Sequence, residues 1–549
     1  MKIKYRPEVD GLRALCVIPV ILYHANITLN DKRLFQGGFI GVDIFFVISG
    51  YLITSLILKE ILKFKTFSFQ NFYERRLRRI IPALLFVTII SYFLGYLILL
   101  PISFIDFSKS VLSMLFFISN FFFHYTGRGY EAESQLLVPL LHTWSLSIEE
   151  QFYILFPIFL IILIKFFKNY FFRILIVSFF VSLLMAEYLS KFHNSFNFYM
   201  LPTRSFELLA GSLLACIQLQ FKYKIIFNQF NSLLINILSI LGLIFIFCSY
   251  YFFNLDKISH PSFITLIPII GAMLIIFFTK KKGVLIKKLL SNKILVFFGI
   301  ISYSLYLWHY PIFAYLRYID VFENSIKIKL LSILLIFTLS VISYYFIEKP
   351  FRDKNIIPKK NIFLIISIII FVLFSLSIFI INKEGLKNRF PKIVSEKLSE
   401  DYDKINYYRQ GKEGNVLVIG DSHSYALNYH LNEELKKESI NLYHKKTDFF
   451  LMNFNKIDRK NGNIDKEFLE NNKNINRFLN ENQNLIVIWK QRWTIKLLET
   501  YFDNEEGSKE IEKFAEDGIW HSYLEPEDIR TSSLKERQDH ILRNIRITI

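Results

Sequence analysis

Eleven apolar runs, each close to the length of a bilayer crossing, follow one another between residues 11 and 381, with ionisable side chains inside or against them. A hydrocarbon core about 30 Å thick takes roughly 20 apolar residues to cross as a helix. Lipid offers no partner to backbone N–H and C=O groups, so such runs restrict the chain to helices that satisfy themselves. A soluble protein of 549 residues would break them into shorter amphipathic pieces. The runs fall at 11–30, 39–62, 80–100, 148–164, 174–189, 205–219, 231–252, 262–279, 294–316, 330–347 and 361–381. The first lacks a small-residue cleavage site and leads directly into further spans, so it reads as a span and not as a removable signal.

The basic residues set the orientation. With a cytoplasmic N-terminus, loops 63–79, 165–173, 220–230, 280–293 and 348–360 are internal and hold 22 Lys and Arg. The external loops 31–38, 101–147, 190–204, 253–261 and 317–329 hold ten. This bias is the positive-inside pattern. It also explains the net charge of +18 without nucleic acid as a partner, because the charge lies in short loops beside a bilayer. The run 104–124 is apolar too. Counting it as a span would move Lys280, Lys281 and Lys282 outside, so a re-entrant or surface helix on the outer side is expected there. The last span then carries residues 382–549, polar and rich in Asn, Lys and Glu, outward as a second, soluble domain. Cys16, Cys216 and Cys248 all lie in apolar segments, so neither a disulfide framework nor a cysteine metal site is expected.

Ionisable groups in a membrane are costly and carry a functional default. The densest set is the run from His142 to Tyr153, with Trp144, Glu149 and Glu150 at the start of the fourth span. Arg13 and His24 are eleven steps apart, about three helical turns and roughly 17 Å, which places them on one face. Arg13 then lies near the cytoplasmic edge and His24 well past the midplane. A neutral histidine at that depth suits a general base for a hydroxyl, and a carboxylate would orient it. Asp43, Glu149, Glu150 and Glu207 are the available partners. Arg75, Arg76, Arg78 and Arg79 crowd the cytoplasmic mouth of the third span. Four guanidinium groups exceed what topology needs and suit a phosphorylated ligand. The block from Gly37 to Gly50 admits close helix packing or an irregular backbone lining a polar cavity. Asp43 within it favours the second.

These motifs, taken together, resemble the acyltransferase-3 family. They are Arg13-x10-His24, Gly-Val-Asp-x-Phe-Phe-Val-x-Ser-Gly at 41–50, Phe-Tyr-x-Arg-Arg-x-x-Arg-Ile-x-Pro at 72–82 and Trp-Ser-Leu-x-x-Glu-Glu-Gln-Phe-Tyr at 144–153. Arg204-Ser-Phe-Glu207, Ser302-Tyr-Ser-Leu-Tyr-Leu-Trp-His309-Tyr-Pro311 and Glu348-Lys-Pro-Phe-Arg352 complete the set, in order, over about 1–360. The resemblance implies a bacterial inner-membrane O-acyltransferase that takes an acyl group, usually acetyl, from cytoplasmic acyl-CoA. The acceptor would be a sugar hydroxyl of lipopolysaccharide, peptidoglycan or exopolysaccharide. It implies His24 as the essential histidine, Arg13 as its motif partner, and Arg76 and Arg78 as the arginines that meet CoA; Glu149 and Asp43 stay among the catalytic carboxylate candidates. Arg13, Arg75, Arg76, Arg78 and Arg79 are expected on the donor side, and His142, Trp144, Arg204, Glu207 and His309 on the acceptor side, with no metal.

In the tail, Val416–Ile419 is an apolar strand ending at Gly420-Asp421-Ser422, where a nucleophilic serine sits in doubly wound hydrolase folds. With the Glu384-Gly-Leu-x-x-Arg-Phe-Pro391 linker, it resembles the SGNH hydrolase-like domain fused to acyltransferase-3 membrane domains. No Asp-x-x-His pair occurs in 382–549: Asp517 and His521 are one residue too far apart, and Asp539 and His540 are adjacent. An incomplete domain, with Ser422 lacking its base, is therefore expected.

The fold expected is a multi-span α-helical membrane protein, ten core helices plus one linking helix, followed by a soluble α/β domain. The parts are a membrane domain at 1–350, a linking helix at 351–390 and the extracytoplasmic domain at 391–549. Two other readings stand beside acyl transfer. One is a transporter of a lipid-linked sugar or acyl donor, which would carry inverted repeats. The other is a membrane-anchored esterase working wholly at Ser422.

Overall fold

The computed structural model describes residues 5–29, 32–126, 133–219, 230–255, 257–281, 283–319, 321–322 and 325–389, and beyond these only strands between 406 and 524. The chain divides into two units, Met1–Lys387 and Asn388–Ile549.

The first unit is helical, and each apolar run corresponds to a helix. In chain order these are α1 (Pro7–His24), α2 (Gly41–Phe64), α3 (Phe69–Ile98), α4 (Pro101–Leu115), α5 (Ser119–Tyr125), α6 (Glu133–Leu136), α7 (Thr143–Phe166) and α8 (Phe171–Leu189). They continue with α9 (Asn194–Tyr199), α10 (Leu201–Leu219), α11 (Ser232–Phe252), α12 (Leu266–Phe278), α13 (Leu285–Leu290), α14 (Lys293–Ile300), α15 (Ser302–Tyr318), α16 (Ile326–Ser343) and α17 (Lys359–Asn382). Among the described residues eight helices are long and apolar enough to cross a membrane, and α14 with α15, bent by 62°, make a ninth if the pair is one broken span. Two shorter helices, α1 and α12, occupy the remaining expected positions.

Polar side chains start several helices where the apolar runs begin. The Ser68 and Asn231 side chains accept from the backbone N–H of Asn71 and Leu234, which are donors otherwise left open in a first turn. Helix α1 starts earlier and stops earlier than the apolar run 11–30. Glu8 and Asp10 lie in its first turn, where a carboxylate suits the helix dipole, and His24 closes it. Its terminal carbonyls then meet cations: Arg317 donates to the His24 carbonyl at 2.5 Å and Lys329 to that of Asn26 at 2.8 Å. The paired strands β1 (Thr28–Leu29) and β2 (Lys32–Arg33) follow.

The Gly37–Gly50 block resolves toward close packing. From Gly41 onward it is continuous helix, preceded by a single short 3-10 turn at Gly38–Ile40. Helices α2 and α10 touch backbone to backbone: a Cβ on Gly50 would lie 1.8 Å from the Leu208 carbonyl oxygen, and one on Gly211 1.9 Å from that of Val47. An irregular cavity-lining backbone is therefore not found in this stretch, because the glycines serve helix contact instead. The 104–124 region forms α4 and α5, broken at Phe117, where φ is 54°. Neither piece reaches 18 residues.

In the second unit, β3 (Asn406–Arg409), β5 (Ile440–Lys446), β4 (Gly414–Gly420) and β7 (Leu485–Lys490) form a sheet in that spatial order. Strand β4 runs parallel to both neighbours, so chain must cross over between them, as in an α/β fold. A second sheet has the order β6 (Asn455–Ile457), β10 (Ile519–Leu524), β9 (Ser508–Phe514) and β8 (Phe502–Asn504). Ser422, just past the end of β4, lies outside the described residues.

Candidate active site

Three polar groupings lie inside the helical unit, and α7 contributes to all of them. Ser145, Leu146, Glu149 and Tyr153 recur at helical spacing and face a cavity shared with α2, α3 and α15. His142, just before α7, joins a cluster of histidines, and Trp144 turns to a buried ion-pair network.

The cavity combines apolar walls, including Val42, Phe46, Leu52 and Ile53, with a polar set of Arg13, Ser49, Arg76, Arg79, Ser145, Glu149 and Tyr306. Ser49 donates to Glu149 Oε1 at 2.7 Å, and the Tyr153 hydroxyl faces Glu149 Oε2 at 3.4 Å. A second cleft adjoins it, lined by Tyr5, Asp10, Arg75, Arg78, Arg352 and Lys354. Arg13 and Arg79 line both spaces, so the two guanidinium groups stand where cleft meets cavity.

The basic residues differ in what they already hold. Arg78 is 2% exposed. It donates to Glu74 at 2.9 Å and to the Phe351 and Ile357 carbonyls at 3.1 and 2.8 Å, which ties the chain after α16 to α3. Arg75 pairs with Glu60 at 3.3 Å. Arg76 lies 6.0 Å over the rings of Phe72 and Tyr153. Arg13 has a 3.6 Å contact to Asp10. Arg79 makes no hydrogen bond or ion pair among the described residues. Arg352 and Lys354, bound to Glu348 and Glu74, complete the basic rim. The motif at 72–82 alone did not single them out, because they arrive from the far end of the domain.

The second grouping surrounds His24. Its ring centroid lies 5.1 Å from that of His309 and 5.1 Å from that of Tyr310. His142 lies 5.6 Å from His309 and stacks on Tyr310 at 5.7 Å. His24 Nδ1 faces the Val20 carbonyl at 2.9 Å. A carbonyl can only accept, so that bond places a ring proton on Nδ1. Burial, then the neighbouring His309, pushes the His142 imidazole well below its usual range, so it is neutral. Tyr306 joins this cluster to the cavity. It lines the cavity, donates to the His142 carbonyl at 2.9 Å, shares a 2.7 Å hydrogen bond with Ser145 and lies 5.2 Å from the His309 ring.

The third grouping is a closed ion-pair network. Arg204 Nη1 donates to Asp43 at 2.9 Å and to Glu207 at 3.0 Å, while its Nε donates to the Phe198 carbonyl at 3.0 Å. His260 faces Asp43 at 3.4 Å. Burial, with Arg204 alongside, pushes the His260 ring well below its ordinary range. Trp144 and Phe198 cover the guanidinium at 5.3 and 4.7 Å. Asp43 and Glu207 thus spend carboxylate oxygens on Arg204, whereas Glu149 faces the cavity. His260 and Arg317 escaped the motif analysis, and Tyr306, though inside the Ser302–Pro311 block, was given no role there. The first two lie in loops or aromatic runs with no spacing that marks them.

A helical membrane domain with a basic mouth, a part-polar cavity and a buried histidine cluster, followed by an α/β unit, defines the class. Residues 6–349 match the acyltransferase domain family, and residues 394–546 match the SGNH domain found fused to such domains. The chain belongs to this acyltransferase family. It is 34% identical over 371 residues to the O-acetyltransferase OatA of Staphylococcus aureus strain NCTC 8325 / PS 47, covering 65% of this chain and 60% of that protein. It is 32% identical over 465 residues to a putative O-acetyltransferase of S. aureus strain MSSA476, covering 80% of this chain and 72% of the relative. The chain thus spans about three fifths of OatA's length. No solved structure matches it.

Proposed function

We propose that the protein is a membrane O-acetyltransferase that moves an acetyl group from cytoplasmic acetyl-CoA to hydroxyls of cell-envelope polysaccharide. The observation that carries this reading is the shared lining of cleft and cavity by Arg13 and Arg79. Tyr306 continues the path from there to the histidines around His24. The O-acetyltransferase relatives support the acyl group and the reaction type.

On this reading the basic cleft faces the cytoplasm, and Arg13, Arg79, Arg352 and Lys354 receive the phosphates of CoA. Planar guanidinium groups form paired, charge-assisted hydrogen bonds to phosphate. The pantetheine arm enters the cavity and its thioester points toward Tyr306. His24 Nε2 takes the proton from the acceptor hydroxyl as its oxygen bonds to the thioester carbonyl carbon. Collapse of the tetrahedral intermediate breaks the C–S bond, and the CoA thiolate leaves with a proton returned by the imidazolium. Glu149, held by Ser49, balances the cations at the inner end of the path. Asp43, Arg204, Glu207 and Trp144 brace the acceptor side. Ser422 carries no step in this scheme.

Membranes holding the full chain, given radiolabelled acetyl-CoA, test the proposal. Alkali-labile label on envelope glycan, above that of membranes without the protein, is expected. Label that stays on CoA, or that crosses the membrane unreacted, contradicts it and fits a transporter.

A further inference from the structure

We infer that Gln135, His142 and His309 form a binding site for the hydroxyls of a saccharide acceptor, a step that rests on the acetyl-transfer reading and specifies its acceptor side. Gln135 lies in the short α6 and is fully buried. Its carbonyl accepts a 3.2 Å hydrogen bond from the Tyr310 hydroxyl. This seats Gln135 at the hydroxyl edge of a ring whose centroid lies 5.1, 5.7 and 5.8 Å from those of His24, His142 and His309.

Around that ring several buried polar atoms of Gln135, His142 and His309 lack a hydrogen-bond partner. Neither Oε1 nor Nε2 of Gln135 is hydrogen-bonded, nor is Nε2 of His309, and neither ring nitrogen of His142 makes a well-formed hydrogen bond, its polar contact being the Pro139 backbone. His142 is 1% exposed and His309 0%. Buried polar groups are nearly always paired, and leaving one unpaired is costly. Several around one tyrosine point to a ligand that brings matching groups. An amide offers donor and acceptor sites together, and a neutral imidazole offers one of each. A pair of adjacent sugar hydroxyls, each both donor and acceptor, answers that set. A single serine or tyrosine hydroxyl would leave most of it unpaired. The same ring contacts His24, so a hydroxyl held here lies beside the proposed base.

Gln135→Met in the full membrane-bound chain tests this, with radiolabelled acetyl-CoA as probe. Methionine keeps the length and removes both polar atoms. Replacing an unpaired buried polar group by an apolar one does not destabilise a fold. The expected result has three parts: a thermal midpoint equal to or above wild type, donor affinity within twofold, and glycan label reduced tenfold or more. Gln135→Asn, which keeps the amide, should recover part of the transfer. If methionine disrupts folding, the asparagine variant and His309→Gln are read for the same split between donor binding and glycan label. Glycan label at the wild-type level in Gln135→Met overturns the site, as does a parallel loss of donor binding. Label that accumulates on the protein and never on glycan also overturns it, showing a protein hydroxyl as the acceptor. Absence of any transfer by the wild type removes the acetyl-transfer reading itself, which is a different outcome.

Discussion

Tyr306 and His142 are joined twice: the phenol donates to the His142 carbonyl at 2.9 Å, and the two rings lie 5.4 Å apart. Since Tyr306 also lines the cavity that Arg13 and Arg79 share with the basic cleft, one residue couples that cavity to the histidine cluster. Tyr306→Phe keeps the ring and removes the hydroxyl held by both Ser145 and the His142 carbonyl. Acetyl transfer should fall about tenfold, the scale of one or two lost hydrogen bonds near 1 kcal/mol each. Acetyl-CoA binding should be unchanged. Single-turnover transfer beside equilibrium binding separates the two.

Arg79 and Arg78 should behave differently although they are neighbours. Arg79 has no hydrogen bond or ion pair among the described residues, and Arg78 is consumed by Glu74 and two carbonyls. Arg79→Ala should weaken acetyl-CoA binding about tenfold, the worth of one charge-assisted hydrogen bond, with little change in melting. Arg78→Ala should lower the thermal midpoint, because it frees the segment after α16. Binding and melting of both variants, in the same detergent, give the comparison.

Removing Arg204 leaves Asp43 and Glu207 buried against each other. Arg204→Ala should cost about 3–5 kcal/mol, the scale of an uncompensated buried charge. Arg204→Met with Asp43→Asn and Glu207→Gln should recover most of it. Chemical unfolding of both variants in detergent measures the difference.

Gly50→Ala should destabilise the protein by about 1–3 kcal/mol or more, since the new methyl meets the Leu208 carbonyl and α2 must move away from α10. Gly211→Ala should match it. The double variant should cost less than the sum, because both relieve one contact. Melting temperatures of the three variants decide this.

Hydropathy placed the spans well because lipid constrains length and polarity more than detailed packing does. It could not see that α1 begins at Pro7, since Glu8, Asp10 and Arg13 dilute the apolar signal where capping and buried pairing make them tolerable. Spacing put Arg13 and His24 on one helix face, and Arg13 does reach the cavity while His24 closes the helix beside His309. Among carboxylates, sequence had no means to choose: Asp43 meets Arg204 only because α2 and α10 pack backbone to backbone, a contact between positions 161 residues apart. The continuous run His142–Tyr153 is divided by helical geometry among three groupings, which a linear motif does not reveal. Gln135, and the role of Tyr306 within its motif block, were illegible for a similar reason. Their roles arise from neighbours on other helices and not from their own surroundings in the chain.

The most direct test of the account is acetyl transfer by His24→Ala in the full membrane-bound chain, with binding of acetyl-CoA measured on the same preparation. The account predicts that donor affinity is retained while transfer to glycan falls by about 10²–10⁴, the scale of a lost general base. Transfer at the wild-type rate with His24 replaced would contradict it.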